Sequence, residues 1–399
     1  MTERAAQLID HVFPYVPVRQ WVLTVPHALR YRLGYDHNLC RRVHEVFRRA
    51  LFRHYRDRCA QPEGQSGSVT FIQRFNSALG LSPHFHLVAI DGVFSADRAE
   101  QPRFTAAAEP SDLDVAAVLA STRAGVARLL RALGLDQRED EAAEDPLTLE
   151  TPALAAFYGG SIVDRSALDS SRSAQRLGAA PNAPWVDAPR IRHSHQDGFD
   201  LHAGRALDAD DRSGLDKLLR YGGRPASAQD RLALHKDGRV SLTLKRPYHD
   251  GTTKILFTPT AFLERLAALI PKPRKNLVIY SGVLAPNAKL RRQVVHYGRG
   301  KVASDAAPGT HADRERDDEA ASALRPAERP NYAWAQLMQR SFGIDVLLCK
   351  HCGGRLRLLC AITRPETVRT ILRSLGLPAE VDEPAPARAP PDDFMFETA

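Results

Sequence analysis

Two histidines separated by one apolar residue, His84 and His86, are the residues whose type and spacing best suit chemistry in this sequence. They open a mostly apolar run, 84–92, that predicts a β-strand. Because strand side chains alternate between faces, both imidazoles project from one face, with Cβ atoms about 7 Å apart. Two imidazoles at that separation can share a metal ion. The pattern predicts a metal site, although a single pair of this kind more often has a structural role.

The strand before this pair supplies a third candidate ligand. Residues 68–75 predict that strand, and the polar link 76–83 suits a hairpin between antiparallel neighbours. Gln73 lies near its end, and two interpretations stay open: its amide completes the metal shell, or it bonds a backbone group at the sheet edge. A rival pair, His193 and His195, has a polar centre and polar neighbours, so we predict a solvated loop there.

Tyr221 is the candidate nucleophile. Residues 208–220 predict a helix whose leucines form a buried stripe, and Tyr221 falls on the flank of that stripe at the helix end. Arg220 and Arg224 make its surroundings positive, which attracts a phosphate. A lone tyrosine is usually an ordinary half-buried residue. Joined to a metal site, it could attack a DNA phosphate to leave a 5′-phosphotyrosine and a free 3′-OH.

Composition limits the classes of protein that fit. The chain has 399 residues, 43% of them hydrophobic, which is enough for more than one core. No run is long and apolar enough to span a membrane, so we predict a cytoplasmic protein without a membrane partner. Five cysteines scattered along the chain argue against a disulfide framework. A net charge of +8 suits a polyanionic partner.

Further patterns predict the elements that must position these residues. Apolar periodicity predicts helices at 38–60, at 111–134 with Ser111 as N-cap, and at 262–270. Apolar runs bounded by turn residues predict strands at 19–25 and 276–283, and a hairpin of 239–245 with 253–257 turned at 249–251. The predicted division of the chain is a lead-in helix at 1–16, a catalytic domain at 17–226 with a loop insertion at about 136–190, a β-rich basic subdomain at 227–300, a disordered linker at 301–330, a helical unit with a Cys-x-x-Cys turn at 331–376, and a disordered tail at 377–399.

Several runs of this sequence, taken in order, resemble the HUH rolling-circle transposases of the insertion sequence 91 family. The runs are PVRQWVL at 17–23, VTFIQRF at 69–75, PHFH at 83–86, RYGGRP at 220–225, LKRP at 244–247, DGT at 250–252, GVLAP at 282–286, YAW at 332–334 and CKHCGG at 349–354. The resemblance implies an α+β fold, an HUH-type antiparallel sheet flanked by helices with a small helical C-terminal unit. It implies a single-strand nuclease and strand transferase that acts on single-stranded DNA and transposon ends. Its metal, Mg²⁺ or Mn²⁺, would be held by His84 and His86, with Tyr221 as nucleophile.

Two departures from the family pattern bear on function. Members with two catalytic tyrosines carry one four residues before the other, and that position is Lys217 here, so the chain resembles the single-tyrosine branch. Family members also carry a cysteine-rich zinc module before the region that matches from Ala5 onward. We expect this sequence to reflect a truncated copy or a misplaced start.

If the chain acts on DNA, its basic residues near these runs are candidates for phosphate contacts, whereas in any other protein they would be solvated faces. They are Arg74, Arg220, Arg224, Lys245, Arg246, Arg274, Lys275 and Arg291.

Cys349 and Cys352 are half of a zinc knuckle, with glycines that permit a tight turn. No second pair is evident, although His351 and Cys360 are nearby, so zinc is a weaker prediction than the divalent metal at the histidines.

Two alternatives stay open at the level of the sequence. The same chemistry serves replication initiators and relaxases, which nick without moving an element. The chain could also be a non-catalytic DNA-binding remnant of a transposase.

Overall fold

A computed structural model describes most of the chain: residues 2–96, 101–135, 145–168, 174–178, 191–226, 229–248, 250–299, 333–357, 362 and 364–379. Two compact units result, residues 1–330 and residues 331–399. The predicted linker 301–330, residues 136–144, 169–173 and 179–190 of the predicted loop insertion and residues 380–399 of the predicted tail lie outside the described residues, as does His249 of the predicted turn.

The described strands are β1 Val18–Thr24, β2 Gly67–Phe75, β3 Leu81–Ile90, β4 Gly92–Ala96, β5 Pro102–Ala106, β6 Ala174–Leu177, β7 His193–Gln196, β8 Phe199–Leu207, β9 Leu232–Leu234, β10 Val240–Thr243, β11 Lys254–Phe257 and β12 Val278–Gly282. The described helices are α1 Thr2–His11, α2 His27–Tyr35, α3 His37–Arg58, α4 Asp112–Ala132, α5 Pro146–Glu150, α6 Pro152–Val163, α7 Arg212–Gly222, α8 Pro259–Leu269, α9 Arg291–Val294, α10 Trp334–Phe342 and α11 Pro365–Ser374.

Six strands in the order β12-β2-β3-β1-β8-β7 form the central sheet, and every neighbouring pair is antiparallel. Strands β2 and β3 form the predicted hairpin, with Gln73 opposite His84 and Phe71 opposite His86. On the other side of β3, Thr24 of β1 lies opposite His84. The histidine strand is therefore central, and both of its edges are bonded to neighbours that fix its register.

Helices cover both faces of this sheet, because alternate strand residues are apolar on each side. On one face, Phe85 and Leu87 pack in a core with residues of α3 and α4. On the other face, Phe71 and Val88 pack in a core with residues of α1 and α7. Ser111 caps α4 as predicted, through a reciprocal capping box with Asp114. The predicted α+β fold, an antiparallel sheet flanked by helices, is confirmed, and α10 and α11 form the small helical unit near the C-terminus.

A second sheet has the order β6-β11-β10-β9, in which β6 precedes α7 in sequence and the other three strands follow it. Its central hairpin confirms the prediction for 239–245 with 253–257, since Val240 pairs with Phe257. The loop insertion predicted at about 136–190 is wrong at 146–163, which contains α5 and α6, and at Ala174–Leu177, which forms β6 and pairs with β11. Because an edge strand needs a partner to be stable, its formation depends on β11, which is more than 70 residues away in the chain.

The loop predicted around His193 and His195 is also wrong. These residues form β7, an edge strand paired with β8, and His193 Nε2 lies 2.7 Å from Asp200 Oδ2. The polar composition of β7 is compatible with a strand, because its neighbour β8 is buried on only one face, through Phe199 and Leu201.

Candidate active site

His84 and His86 lie side by side on the face of β3 that α7 partly covers. Their ring centroids are 4.9 Å apart. Phe85 and Leu87, by contrast, are fully buried on the opposite face. The alternation read from the sequence therefore accounts for the orientation of both imidazoles.

Hydrogen bonds orient the two rings. Nδ1 of His84 donates to the carbonyl oxygen of Ser82 at 2.7 Å, which leaves the Nε2 lone pair free. Nδ1 of His86 lies 3.0 Å from the side-chain amide of Gln20 on β1. The contacting atom is the amide Nε2, which as placed donates to Nδ1. The opposite amide orientation, with its oxygen at Nδ1–H, would leave Nε2 of His86 free as well. An imidazole that bonds a neighbour through one nitrogen and keeps the other free has the usual form of a metal ligand.

Burial keeps both imidazoles neutral. It lowers the pKa of His84 despite the opposing effect of the Ser82 carbonyl. It also lowers the pKa of His86 to about 3, with further contributions from His84 and Arg224. Neutral imidazole is the protonation state that binds metal, so neither ring has to lose a proton first at neutral pH.

Gln73 connects the histidine pair to the end of α7. Its Nε2 donates to the carbonyl oxygens of Tyr221 and Gly222, at 3.2 and 2.9 Å. Its Oε1 is buried and has no hydrogen-bond partner among the described residues. Both interpretations drawn from the sequence are therefore compatible in one side chain, because the amide nitrogen makes backbone bonds while the amide oxygen is left for a ligand.

Tyr221 lies in the last turn of α7, and its ring centroid is 5.7 Å from that of His86. The helix begins at Arg212, capped by Asp211, four residues later than predicted. It runs through Tyr221 to Gly222, so the tyrosine belongs to the helix itself. The leucine stripe is buried, and Tyr221 is 43% exposed. The ring thus has one edge against the histidines and another open to solvent.

Two cations flank the ring of Tyr221. The guanidinium carbon of Arg224 lies 4.1 Å from the ring centroid, and Lys245 Nζ lies 5.8 Å from it. Arg224 Nε is buried and has no hydrogen-bond partner among the described residues. Arg220, in contrast, forms an ion pair with Asp216 at 2.6 Å. Arg224 and Lys245 are therefore better placed than Arg220 to meet a phosphate at the tyrosine.

The other predicted DNA contacts differ in exposure. Arg246, Arg274 and Lys275 are exposed, whereas Arg291 is half-buried and donates to the carbonyl oxygen of Leu284. The assignment of Arg74 is corrected, because this side chain is buried. Its guanidinium donates to four groups, the carbonyl oxygens of Gly34, Ala268 and Leu269 and the Tyr158 hydroxyl. Arg74 is committed to the protein interior.

Sequence reasoning missed Gln20. The signal was present, since Gln20 alternates with the buried Trp21 on β1 and so faces the same side of the sheet as the histidines. What was lacking is the register between β1 and β3, which brings the amide to His86.

Cys349 and Cys352 lie in the compact unit of residues 331–399. The backbone N–H of Gly353 donates to the Cys349 carbonyl at 2.9 Å, and Gly353 has φ of 70°, so the predicted tight turn forms. The backbone N–H of Cys352 lowers the pKa of the Cys349 thiol. Cys360 lies outside the described residues, and within them no group of three His, Cys, Asp or Glu side chains could hold a metal ion. Zinc at this pair stays a prediction.

Comparisons with known proteins give one match. The family model Y2_Tnp, described as "Putative transposase", matches residues 67–292, more than half of the chain. The matched region runs from β2 to α9 and contains Gln73, His84, His86 and Tyr221. No curated protein and no solved structure matches. Among the described helices, none is both long and apolar enough to cross a membrane.

Proposed function

Because this chain belongs to the transposase family that its residues 67–292 match, we propose that it is a rolling-circle transposase of the HUH type, similar to those of the insertion sequence 91 family. It nicks single-stranded DNA at transposon ends and transfers the cut strand through a covalent tyrosine intermediate. The observation that carries this proposal is the 5.7 Å approach of the Tyr221 and His86 rings, which are 135 positions apart in the chain (221 − 86).

The residues at this site fit a divalent cation, Mg²⁺ or Mn²⁺. The donors would be Nε2 of His84, Nε2 of His86 and Oε1 of Gln73, a mixed nitrogen and oxygen set. The fit rests on two features: burial lowers the pKa of both imidazoles, and the Gln73 oxygen is buried with no hydrogen-bond partner among the described residues. When bound, such an ion polarises the scissile phosphate and offsets the charge that develops there.

Tyr221 supplies the nucleophile in this mechanism. Its phenol oxygen, after giving its proton to solvent, attacks phosphorus, and the bond from phosphorus to the 3′-oxygen breaks. The departing oxygen takes a proton from solvent, which leaves a 5′-phosphotyrosine and a free 3′-OH. Arg224 and Lys245, which flank the ring, attract the phosphate to it.

A single nucleophile follows from Lys217. One turn before Tyr221 on α7, this position carries an exposed lysine instead of a second tyrosine. The covalent bond conserves the energy of the broken phosphodiester, so the 3′-OH of another strand can reverse the step and complete transfer. One chain therefore holds one cut strand at a time.

The test is the covalent adduct. With labelled single-stranded DNA carrying the transposon end, we expect wild-type protein to form a product that survives denaturation and migrates with the protein. Tyr221→Phe removes only the hydroxyl, so it should abolish the adduct while the affinity for the strand changes little, because phosphate contacts come from Arg and Lys. Tyr280→Phe is the matched control, and it should form the adduct at the wild-type rate.

An adduct that persists in Tyr221→Phe, or that maps by mass spectrometry to another tyrosine, contradicts the assignment. Cleavage that continues in EDTA contradicts the metal. Nicking without strand transfer would instead indicate an initiator or relaxase, and binding without any adduct would indicate a non-catalytic remnant.

A further inference from the structure

A cavity of about 170 Å³ lies beside the end of β2, next to the candidate active site. Its wall includes Phe71, Phe75, Gly223, Arg224, Leu269 and Leu277. These residues come from the ends of β2, α7 and α8 and from the turn before β12. The mechanism proposed above does not use this space.

The cavity is close to the position where the scissile phosphate must lie. Gln73 and Gly222 both line it, and Gly222 follows Tyr221 directly in α7. Gln73 lies opposite His84 in the sheet and bonds the Tyr221 carbonyl. Stacked neighbouring nucleotides of one strand are only about 3.4 Å apart along the axis. A nucleotide adjoining a phosphate at Tyr221 can therefore reach this cavity.

The chemistry of the wall suits a nucleobase. Most of the lining is aromatic, aliphatic or glycine, and none of it is Asp or Glu. Arg4, which is exposed, and Arg224, which is half-buried, also line it and would meet a polyanionic strand. The volume is below the range of about 300–1,000 Å³ of sites for drug-sized ligands, so it suits one planar ring system. Aromatic side chains stack on bases of any identity.

The edge of β2 adds polar capacity to this wall. Strand β12 pairs with β2 only from Gly67 to Phe71, and one more bond joins Ile72 N to the Leu277 oxygen. Within the described residues, β12 therefore leaves the last part of β2 uncovered at the cavity. Backbone groups on such an edge can bond the rim of a base.

We propose that this cavity receives the base of a nucleotide adjoining the scissile phosphate, and that it makes cutting depend on a base at that one position. This inference rests on the proposed function, because it assumes that the phosphate lies at Tyr221. The chemical class recognised is an unpaired nucleobase of the substrate strand.

Gly223 offers a way to fill the cavity. Its φ is −88°, which any residue adopts. A Cβ added there would lie 3.6 Å from the Leu219 carbonyl oxygen and 3.8 Å from Phe71 Cε1, which are ordinary contacts. Gly223→Val should therefore fold and add side-chain volume at this part of the cavity wall. Gly223→Ala is a smaller step of the same kind, and Ser213→Val, on the exposed side of α7, is the matched control.

The experiment pairs these variants with oligonucleotides that each carry one abasic site at a position around the nick. We measure affinity by fluorescence anisotropy and adduct yield on denaturing gels. For the wild type we expect one adjoining position where base removal weakens binding about tenfold, as loss of a stacked base does. Gly223→Val should bind the intact strand about tenfold more weakly and lose the abasic penalty at that position only. Gly223→Ala should fall between, and Ser213→Val should match the wild type.

Two results would overturn the inference: an abasic penalty that is unchanged in Gly223→Val, or no sensitive position in a wild type that still forms the adduct. Because abasic strands keep every phosphate, a site for a phosphate instead of a base would also show no abasic penalty. Absence of the adduct on every strand would count against the proposed function itself. This result differs from failure of the inference alone, in which the wild type still forms the adduct. If Gly223→Val has a lowered melting temperature, the graded effect of Gly223→Ala decides the outcome.

Discussion

At the scale of single residues, Gln73 has the most demanding position, because its amide makes two backbone hydrogen bonds and is proposed to supply a metal ligand as well. Its nitrogen donates to two carbonyls at the end of α7, and its buried oxygen faces no protein partner in the described part of the chain. Substitutions that keep one of these functions and lose the other can separate them.

We predict that Gln73→Glu and Gln73→Met lower stability to a similar extent, by about 1–3 kcal/mol, because both leave the same carbonyls without the donor. Their metal affinities should differ. Glu retains an oxygen ligand and should bind Mn²⁺ at least as well as wild type, whereas Met should bind it about tenfold more weakly or worse. Urea unfolding and Mn²⁺ titration by electron paramagnetic resonance measure the two effects. Equal Mn²⁺ affinity of wild type and Gln73→Met would remove Gln73 from the proposed metal site.

His44, on α3, gives a prediction about pH. It is buried, its Nε2 lies 2.9 Å from Thr70 Oγ1, and burial lowers its pKa from 6.5 to about 4. The unfolded chain therefore binds a proton between pH 6.5 and 4 that the folded chain does not bind. The contribution of neutral His44 to the free energy of unfolding is fully present above pH 6.5. It is lost as the pH falls through this window, by about 1.4 kcal/mol per pH unit.

We predict that the wild type loses about 2 kcal/mol more than His44→Gln between pH 7 and pH 5, because glutamine does not titrate but keeps a hydrogen bond to Thr70. Urea unfolding at both pH values measures this difference, and the subtraction removes the contribution of the other histidines. A parallel loss in the two proteins would show that His44 is not the residue that responds.

At the scale of elements, the contact of α7 with β2 sets the position of Tyr221, the proposed nucleophile. A Cβ added at Gly222 would lie 2.6 Å from Phe71 Cδ2, so the absence of a side chain at this position permits the approach. The next glycine, Gly223, has ordinary room. Two adjacent glycines thus have different structural requirements.

We predict that Gly222→Ala destabilises the protein by about 1–3 kcal/mol and slows adduct formation, because overpacking displaces the end of α7. Alanine favours a helix over glycine by about 1 kcal/mol, so a net loss can be assigned to the contact with Phe71. Gly223→Ala should have little effect on stability. Thermal unfolding and adduct kinetics measure both, and equal behaviour of the two variants would contradict this account.

Elements with a strong local signal were the ones predicted correctly from the sequence. The β2–β3 hairpin, α4 with its Ser111 cap and the β10–β11 hairpin each combine apolar periodicity with a turn or cap residue. Strands β6 and β7 were missed because their residues are mostly polar, and their strand conformation depends on pairing with β11 and β8. Pairing with a distant strand leaves little trace in the local pattern.

At the scale of the whole molecule, Arg74 joins elements from distant parts of the chain. From β2 it donates to the end of α2, to Tyr158 of α6 and to the last turn of α8. The last carbonyl groups of a helix have no donor within the helix, and the buried Arg74 guanidinium supplies donors to several of them. The sequence could not show this, because the acceptors belong to three helices that come together only in the folded chain.

We predict that Arg74→Met destabilises the protein by about 3–5 kcal/mol, because it leaves buried carbonyls without a donor. Arg246→Ala, at an exposed position, should leave stability within about 0.5 kcal/mol of wild type and weaken DNA binding in a salt-dependent way. Urea unfolding and binding at two salt concentrations measure these effects. A stable Arg74→Met variant with weakened DNA binding would return Arg74 to the DNA surface.

Only part of the candidate site could be predicted from the sequence, because contacts between distant segments leave no local pattern. The histidine pair follows from a spacing of two on one strand, which is local information. The meeting of Tyr221 with His86 was implied by resemblance to a family and not by any pattern, because α7 approaches the sheet only through tertiary packing. The space beside Gly223, lined by five separate segments of the chain, left no pattern in the sequence.

The order of the strands along the chain also affects the growing polypeptide. Both neighbours of the histidine strand, β1 and β2, precede it in the sequence, so this three-stranded part can pair as soon as β3 has left the ribosome. Tyr221 emerges 135 residues after His86 (221 − 86), about 7–27 s later at common rates of synthesis. During that interval the nascent chain carries its two imidazoles without the phenol. On the proposed mechanism, a chain released before residue 221 therefore lacks the nucleophile that forms the covalent adduct with DNA.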